Sequence, residues 1–289
     1  MKANRGTRWA RAGYTAVRLY AVGRNQSRRF GQRVDTALGD LLFALTTDAE
    51  KSVITEACYA TTGHTQGDGR QTLYDWEQRW YADALPEPPA RILVAGAGWG
   101  REMGALRDQG YTVVGFDPVE PPSTRVPTGT TFIRADYGEF VKAALGRSPG
   151  GMLNAVLDTP FDAVILGWGS LSHVLDRDLR ARIFAAAARV APRGPILASF
   201  WCRPVGDEAV RSRLRERVIG LGTVLGRLRG IEADASQDYV FSTAHGFGVY
   251  LGMDELARVA ADLGRSLHTD VHPFPRVVLA PSVARGSRP

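Results

Sequence analysis

The 289 residues suffice for one large domain with an extension or for two small ones, and an apolar share of 44% supports a sizeable core. A net charge of +6 admits an anionic partner, but only Lys2, Lys51 and Lys142 are lysines among 36 basic residues, so a GC-rich coding bias explains the arginine excess as readily as nucleic-acid binding does. No apolar run reaches membrane-spanning length, Arg18 and Arg24 interrupt the candidate signal segment, and Cys58 and Cys202 make neither a disulfide framework nor a zinc cluster; a cytoplasmic protein without a metal is expected.

Residues 1–85 read as a helical N-terminal extension. Val34, Leu38, Leu41 and Leu45 fall on one helix face, and that character continues from Ala49 to Thr61 and stops at Gly63. His64 to Arg70 is a polar, glycine-rich loop, either a lid or a solvated connector. Leu73, Trp76 and Trp80 form another stripe; Tyr74, Trp76, Trp80 and Tyr81 either pack this helix onto a sheet or wall a substrate. Pro86 to Pro89 cannot continue a helix and closes the extension.

Residues 90–289 read as an α/β domain. Ile92 to Ala95 is a buried strand that breaks into Gly96, Gly98 and Gly100 and passes into a helical pattern; a second apolar run ends at Asp117. In an open sheet, a glycine turn after the first strand and an acid at the tip of the second mark the edge where an adenosine-bearing ligand sits. The spacing G-x-G-x-G puts Arg101 where a dinucleotide fingerprint needs its third glycine, and nothing matches a Walker loop. A nucleoside without phosphates fits what remains. Thr131 to Ile133, Phe161 to Leu166 and Ile196 to Leu197 are further apolar runs. Residues 203–246 then break the pattern: an Arg-rich helix over about Asp207 to Leu228, whose Arg211, Arg213, Arg215 and Arg217 spread over more than one face, precedes a polar stretch ending at Tyr239 to Ser242. Met253 to Leu263 is a helix, and Leu267–Val271 and Arg276–Ala280 are short final strands around a Pro-Phe-Pro turn.

These motifs resemble the class I S-adenosylmethionine-dependent methyltransferases over about residues 90–280. Ala95, Gly96, Ala97, Gly98 and Gly100 are similar to the family's glycine loop, Asp117 with Pro118 to its ribose-binding acid, and Ala135, Asp136 and Tyr137 to the third-strand motif whose acid receives the adenine amino group. Gly167 and Trp168 fall in the loop beside the methyl donor, and Ala191 to Pro195 resembles the turn into the fifth strand, with Arg193 where a glycine is common. Val94 stands where the family often has an acid. The resemblance implies a Rossmann-like seven-stranded, mostly parallel sheet with an antiparallel last strand. It implies S-adenosyl-L-methionine as donor and S-adenosyl-L-homocysteine as product, with Ala95, Gly96, Ala97, Gly98, Gly100, Asp117, Pro118, Ala135, Asp136, Tyr137, Gly167 and Trp168 contacting the cofactor.

Methyl transfer from a sulfonium mainly needs alignment; a base is required when the acceptor must lose a proton early. His173, seven residues after Leu166, is the leading candidate for that base, with a structural role as the alternative; His245 and His64 are weaker candidates. The acceptor half of the pocket falls to the extension and the insertion. The expected function is methylation of an oxygen or nitrogen of a small molecule, such as a bacterial natural product. RNA or a peptide as acceptor, and a nucleoside-binding protein without turnover, are the alternatives. Acceptor identity and oligomeric state stay open.

Overall fold

A computed structural model describes residues 39–58, 72–119, 126–146, 150–203, 213–228, 230, 239–242 and 245–282. The expected loop at 63–69 and His64 lie outside them. In chain order the elements are α1 (Asp48–Cys58), α2 (Asp75–Ala84), β1 (Arg91–Ala95), α3 (Arg101–Asp108), β2 (Thr112–Asp117), β3 (Thr131–Arg134), α4 (Tyr137–Ala144), α5 (Met152–Leu157), β4 (Ala163–Leu166), a 3-10 turn (Ser170–His173), α6 (Arg177–Val190), β5 (Ile196–Ser199), α7 (Arg213–Leu228), β6 (Tyr239–Ser242), β7 (Gly246–Val249), α8 (Met253–Asp262), β8 (Arg265–Asp270) and β9 (Arg276–Pro281). No helix among the described residues is long and apolar enough to cross a membrane.

The contacts divide the chain into two units, Met1–Thr47 with Ala209–Asp234, and Asp48–Glu208 with Ala235–Pro289. This line differs from the expected break near residues 85–90: α1 and α2 cluster with the sheet. In the first unit the described parts are a helical segment at 39–45 and α7, which lays Gly222 against Ala44 and Leu41. Leu221, Val224, Leu225 and Leu228 of α7 are exposed.

The second unit holds a seven-stranded sheet in the order β3-β2-β1-β4-β5-β9-β8. All neighbouring pairs are parallel from β3 through β5; β9 runs antiparallel between β5 and β8. The implied fold is therefore present. β1, β4 and β5 are almost wholly buried because helices cover both faces, which is why they read as continuous apolar runs. Alternation divides the side chains. Ile92, Val94, Ile165 and Leu197 meet Trp80, Tyr81, Met103 and Leu106 from α2 and α3. Leu93, Val164, Leu166 and Ile196 meet Phe140, Ile183, Phe184 and Leu256 on the other face.

Two departures have local causes. The helical pattern expected to run on from Leu45 breaks at Thr46 and Thr47 before α1 starts at Asp48. The end of the insertion is not simply polar: β6 and β7 form an antiparallel hairpin, hidden in the sequence because Gly246 and Gly248 weaken any strand pattern. The hairpin is secured by α1, where Thr55 Oγ1 accepts from the Phe247 amide at 3.0 Å.

Phe184 is fully enclosed, so Phe184→Ala should cost about 3–5 kcal/mol. Leu225→Ser on the exposed stripe of α7 should cost no more than about 0.5 kcal/mol. Urea unfolding of both variants checks the contrast.

Candidate functional site

The carboxyl ends of β1 and β4 lie side by side, Ala95 opposite Leu166, and the chain leaves them in opposite directions across the sheet. This is the switch point where open α/β sheets bind ligands. After β1, Gly96, Gly98 and Gly100 take φ values of 71°, 52° and 78°, a left-handed region that side chains rarely adopt. Space excludes larger residues as well. A Cβ on Gly96 would lie 2.4 Å from Ser170 Cβ, and one on Gly167 2.5 Å from the Gly96 carbonyl oxygen. A Cβ on Gly98 would meet nothing within 4 Å, so the middle of the turn is open.

Asp117, at the tip of β2, braces that turn. Its Oδ2 accepts from the Gly98 amide and its Oδ1 from the Val119 amide, both at 2.9 Å. Burial pushes its carboxyl above the usual range, and the two amide donors oppose the shift. Pro118 follows, its carbonyl accepting from Arg134 Nε at 3.3 Å. Asp136 is the N-cap of α4: Oδ1 accepts from the Glu139 amide at 2.8 Å, while Glu139 Oε2 accepts from the Asp136 amide at 2.9 Å. Ala135 is buried and donates its amide to the Asp117 carbonyl at 3.2 Å. Tyr137 donates to the Ala95 carbonyl at 3.1 Å and shares a 2.6 Å hydrogen bond with Ser170, so its hydroxyl ties α4 to both strand tips. The fold thus gathers the glycine turn, Asp117, Asp136, Tyr137 and Gly167 along one edge.

A buried polar network escaped sequence reasoning. Glu77 holds Arg101 through two hydrogen bonds of 2.5 and 2.7 Å and also accepts from the Tyr74 amide. Burial works against the Arg101 charge, but the bonds to Glu77 and the nearby carboxylates outweigh it and raise its pKa. Tyr81 donates to Glu102 at 2.6 Å, and the Trp168 amide also donates to Glu102. Burial raises both the Glu102 carboxyl and the Tyr81 phenol. Glu102 therefore links α2, α3 and the turn after β4. Nothing local signals these pairs, because their partners lie 21 and 24 residues apart.

On the opposite side of that turn, His173 Nδ1 lies 2.7 Å from the Phe247 carbonyl. A carbonyl only accepts, so Nδ1 carries the proton and Nε2 the lone pair. Trp201 meets His173 edge to face at 4.8 Å and His245 at 6.1 Å. The β6–β7 hairpin thereby reaches the predicted base.

A groove of about 420 Å³ at the opposite edge of the sheet is lined by Leu85, Pro86, Phe161, Asp162, Pro192 and Arg193.

No family model and no curated protein matches this chain. Solved structures do. The 1,6-didemethyltoxoflavin-N1-methyltransferase of Burkholderia thailandensis is 17% identical, with 81% of this chain and 89% of that one covered at a TM-score of 0.48. The magnesium protoporphyrin IX methyltransferase of Synechocystis is 15% identical, over 81% and 96%, at 0.45. A structure described as a putative Zn-dependent alcohol dehydrogenase of Rhodobacter sphaeroides is 12% identical, over 80% and 98%, at 0.49. At these values the similarities assign no activity, and the fold stands on its strand order and register.

Burial depresses the His173 pKa to about 4, with His245 adding to the shift and the Phe247 carbonyl opposing it. An unfolded histidine titrates near 6.5, so between about pH 6.5 and 4 the unfolded chain binds the extra proton. His173 should therefore lower folding stability as pH falls through that window and contribute no slope above it. Urea midpoints of the parent and His173→Gln across pH 4.5–7.5 check this: the variant should show the shallower decline.

Proposed function

We propose that this chain is an S-adenosylmethionine-dependent methyltransferase acting on an oxygen or nitrogen of a small molecule. The observation that carries the reading is the left-handed glycine turn at the β1–β4 switch with Asp117 at the neighbouring strand tip. The residues fit the donor. The open space at Gly98 admits a close ligand. Each Asp117 oxygen accepts one amide and keeps acceptor capacity for a ribose diol. Asp136 is exposed at the start of α4, where an adenine amino group would be received. Arg101, locked to Glu77, leaves no phosphate-cradling third glycine. The bound donor supplies an activated methyl group.

The chain's own part is alignment and proton handling. Ala95 to Gly100 with Gly167 set the floor on which the donor rests, and the Tyr137–Ser170 pair keeps the two strand tips together. His173 is the base in this reading: the Phe247 carbonyl orients it with Nε2 free of a proton above about pH 4. A base that weak suits an acceptor that loses its proton late, such as an amine or an acidic hydroxyl.

Calorimetry with S-adenosyl-L-homocysteine tests the donor site, and labelled-donor turnover across acceptor classes tests the reaction. Asp117→Ala should weaken product binding by about ten- to a hundredfold, since a hydrogen bond to a charged group contributes roughly 1.5–3 kcal/mol. Dinucleotide binding without product binding would overturn the reading.

A further inference from the structure

The two halves of the sheet edge carry different chemistry. Asp117 and Asp136 stand at the β2 and β3 tips, on one side of the switch point. On the other side, toward β4, β9 and β8, stand aromatic rings. Trp168 follows β4, Phe274 lies in the β8–β9 turn and Tyr74 precedes α2. The Trp168 ring centroid is 5.5 Å from Tyr74 and 5.6 Å from Phe274, tilted by 42° and 44°. Trp76 supports the same group, stacked 5.7 Å from Phe274. Trp168 is 44% exposed, and no other Phe, Tyr or Trp side chain among the described residues is as open.

That exposure belongs to a ring with little freedom. Its amide donates to buried Glu102, and the preceding Gly167 is pressed against the Gly96 carbonyl. A fixed, open indole beside a glycine turn is a stacking surface. The local charges say what it takes. Arg101 lies 5.2 Å from the Tyr74 ring and 5.9 Å from Trp168, and Arg276 5.5 Å from Trp76, so each of these three rings already has a guanidinium beside it. Both guanidiniums are paired, with Glu77 and Asp270, so neither is left to neutralise an anion. A flat aromatic ring stacks on an indole in an offset arrangement that adds to the area it buries.

We propose that Trp168, which the resemblance would set against the donor, instead stacks, propped by Tyr74 and Phe274, a flat, uncharged aromatic or heteroaromatic acceptor on the half of the edge away from Asp117 and Asp136. That this ligand is an acceptor rests on the methyl-transfer reading; the stacking surface itself does not. The test is calorimetry on the full chain, with and without saturating S-adenosyl-L-homocysteine, using 2-naphthol, its saturated counterpart decahydro-2-naphthol and naphthalene-2-sulfonate. The parent should prefer the flat alcohol to the saturated one by about five- to tenfold, the scale of one aromatic pair. Trp168→Ala should bring that ratio to about one, and Trp168→Phe should keep part of it, both variants retaining the parent's unfolding cooperativity. A ratio near one in the parent, an undiminished ratio in Trp168→Ala, or tighter binding of the sulfonate overturns the proposal. A flat-ring preference without any S-adenosyl-L-homocysteine binding supports the stacking surface and removes the methyl-transfer reading; the converse result removes only the stacking surface.

Discussion

The site depends on how closely two backbones approach. The chain leaving β4 at Gly167 lies against the Gly96 carbonyl of the turn leaving β1, and its amide donates to Ala95 at 2.7 Å. No residue with a Cβ fits at either contact without moving backbone or Ser170. β1 and β4 are neighbours at the point where strand order reverses, so this contact sits at the switch point of the sheet. Asp117 through Gly98 and Tyr137 through Ala95 then fix the turn from the β2 and α4 sides.

The polar groups around this contact are buried and compensated. Glu77 with Arg101, and Tyr81 with Glu102, take charge and hydroxyl out of water, which is costly unless each group finds a partner. Their net contribution to stability is small on that account. Their effect is positional: α2 is tied to the start of α3, and Glu102 also holds the Trp168 amide. Val94 stands in β1 where the resembled family often has an acid, and Glu102 of α3 is the carboxylate that accepts from the Trp168 amide.

The edge is two-sided. Its β2–β3 half carries the carboxylates of Asp117 and Asp136, and its β4–β8 half carries rings and the imidazole of His173. His173 is held neutral by burial and oriented by a carbonyl from the β6–β7 hairpin, so a segment outside the parallel core sets the tautomer of the predicted base.

The sequence by itself determined what is local. Apolar runs of strand length, glycines at three left-handed positions, an acid ending β2 and a Pro-Phe-Pro turn between β8 and β9 each state their structure within a few residues, because backbone conformation and side-chain period are set by near neighbours. The sheet edge that gathers Ala95 to Gly100, Asp117, Asp136 and Gly167 was legible for that reason. What only the tertiary structure decided are the pairings across the chain: Arg101 with Glu77, Glu102 with Tyr81, His173 with Phe247, and Trp168 between Tyr74 and Phe274. The His173–Phe247 bond spans 74 residues and joins a turn to a glycine-broken strand. No periodicity links such positions; packing on a common sheet does.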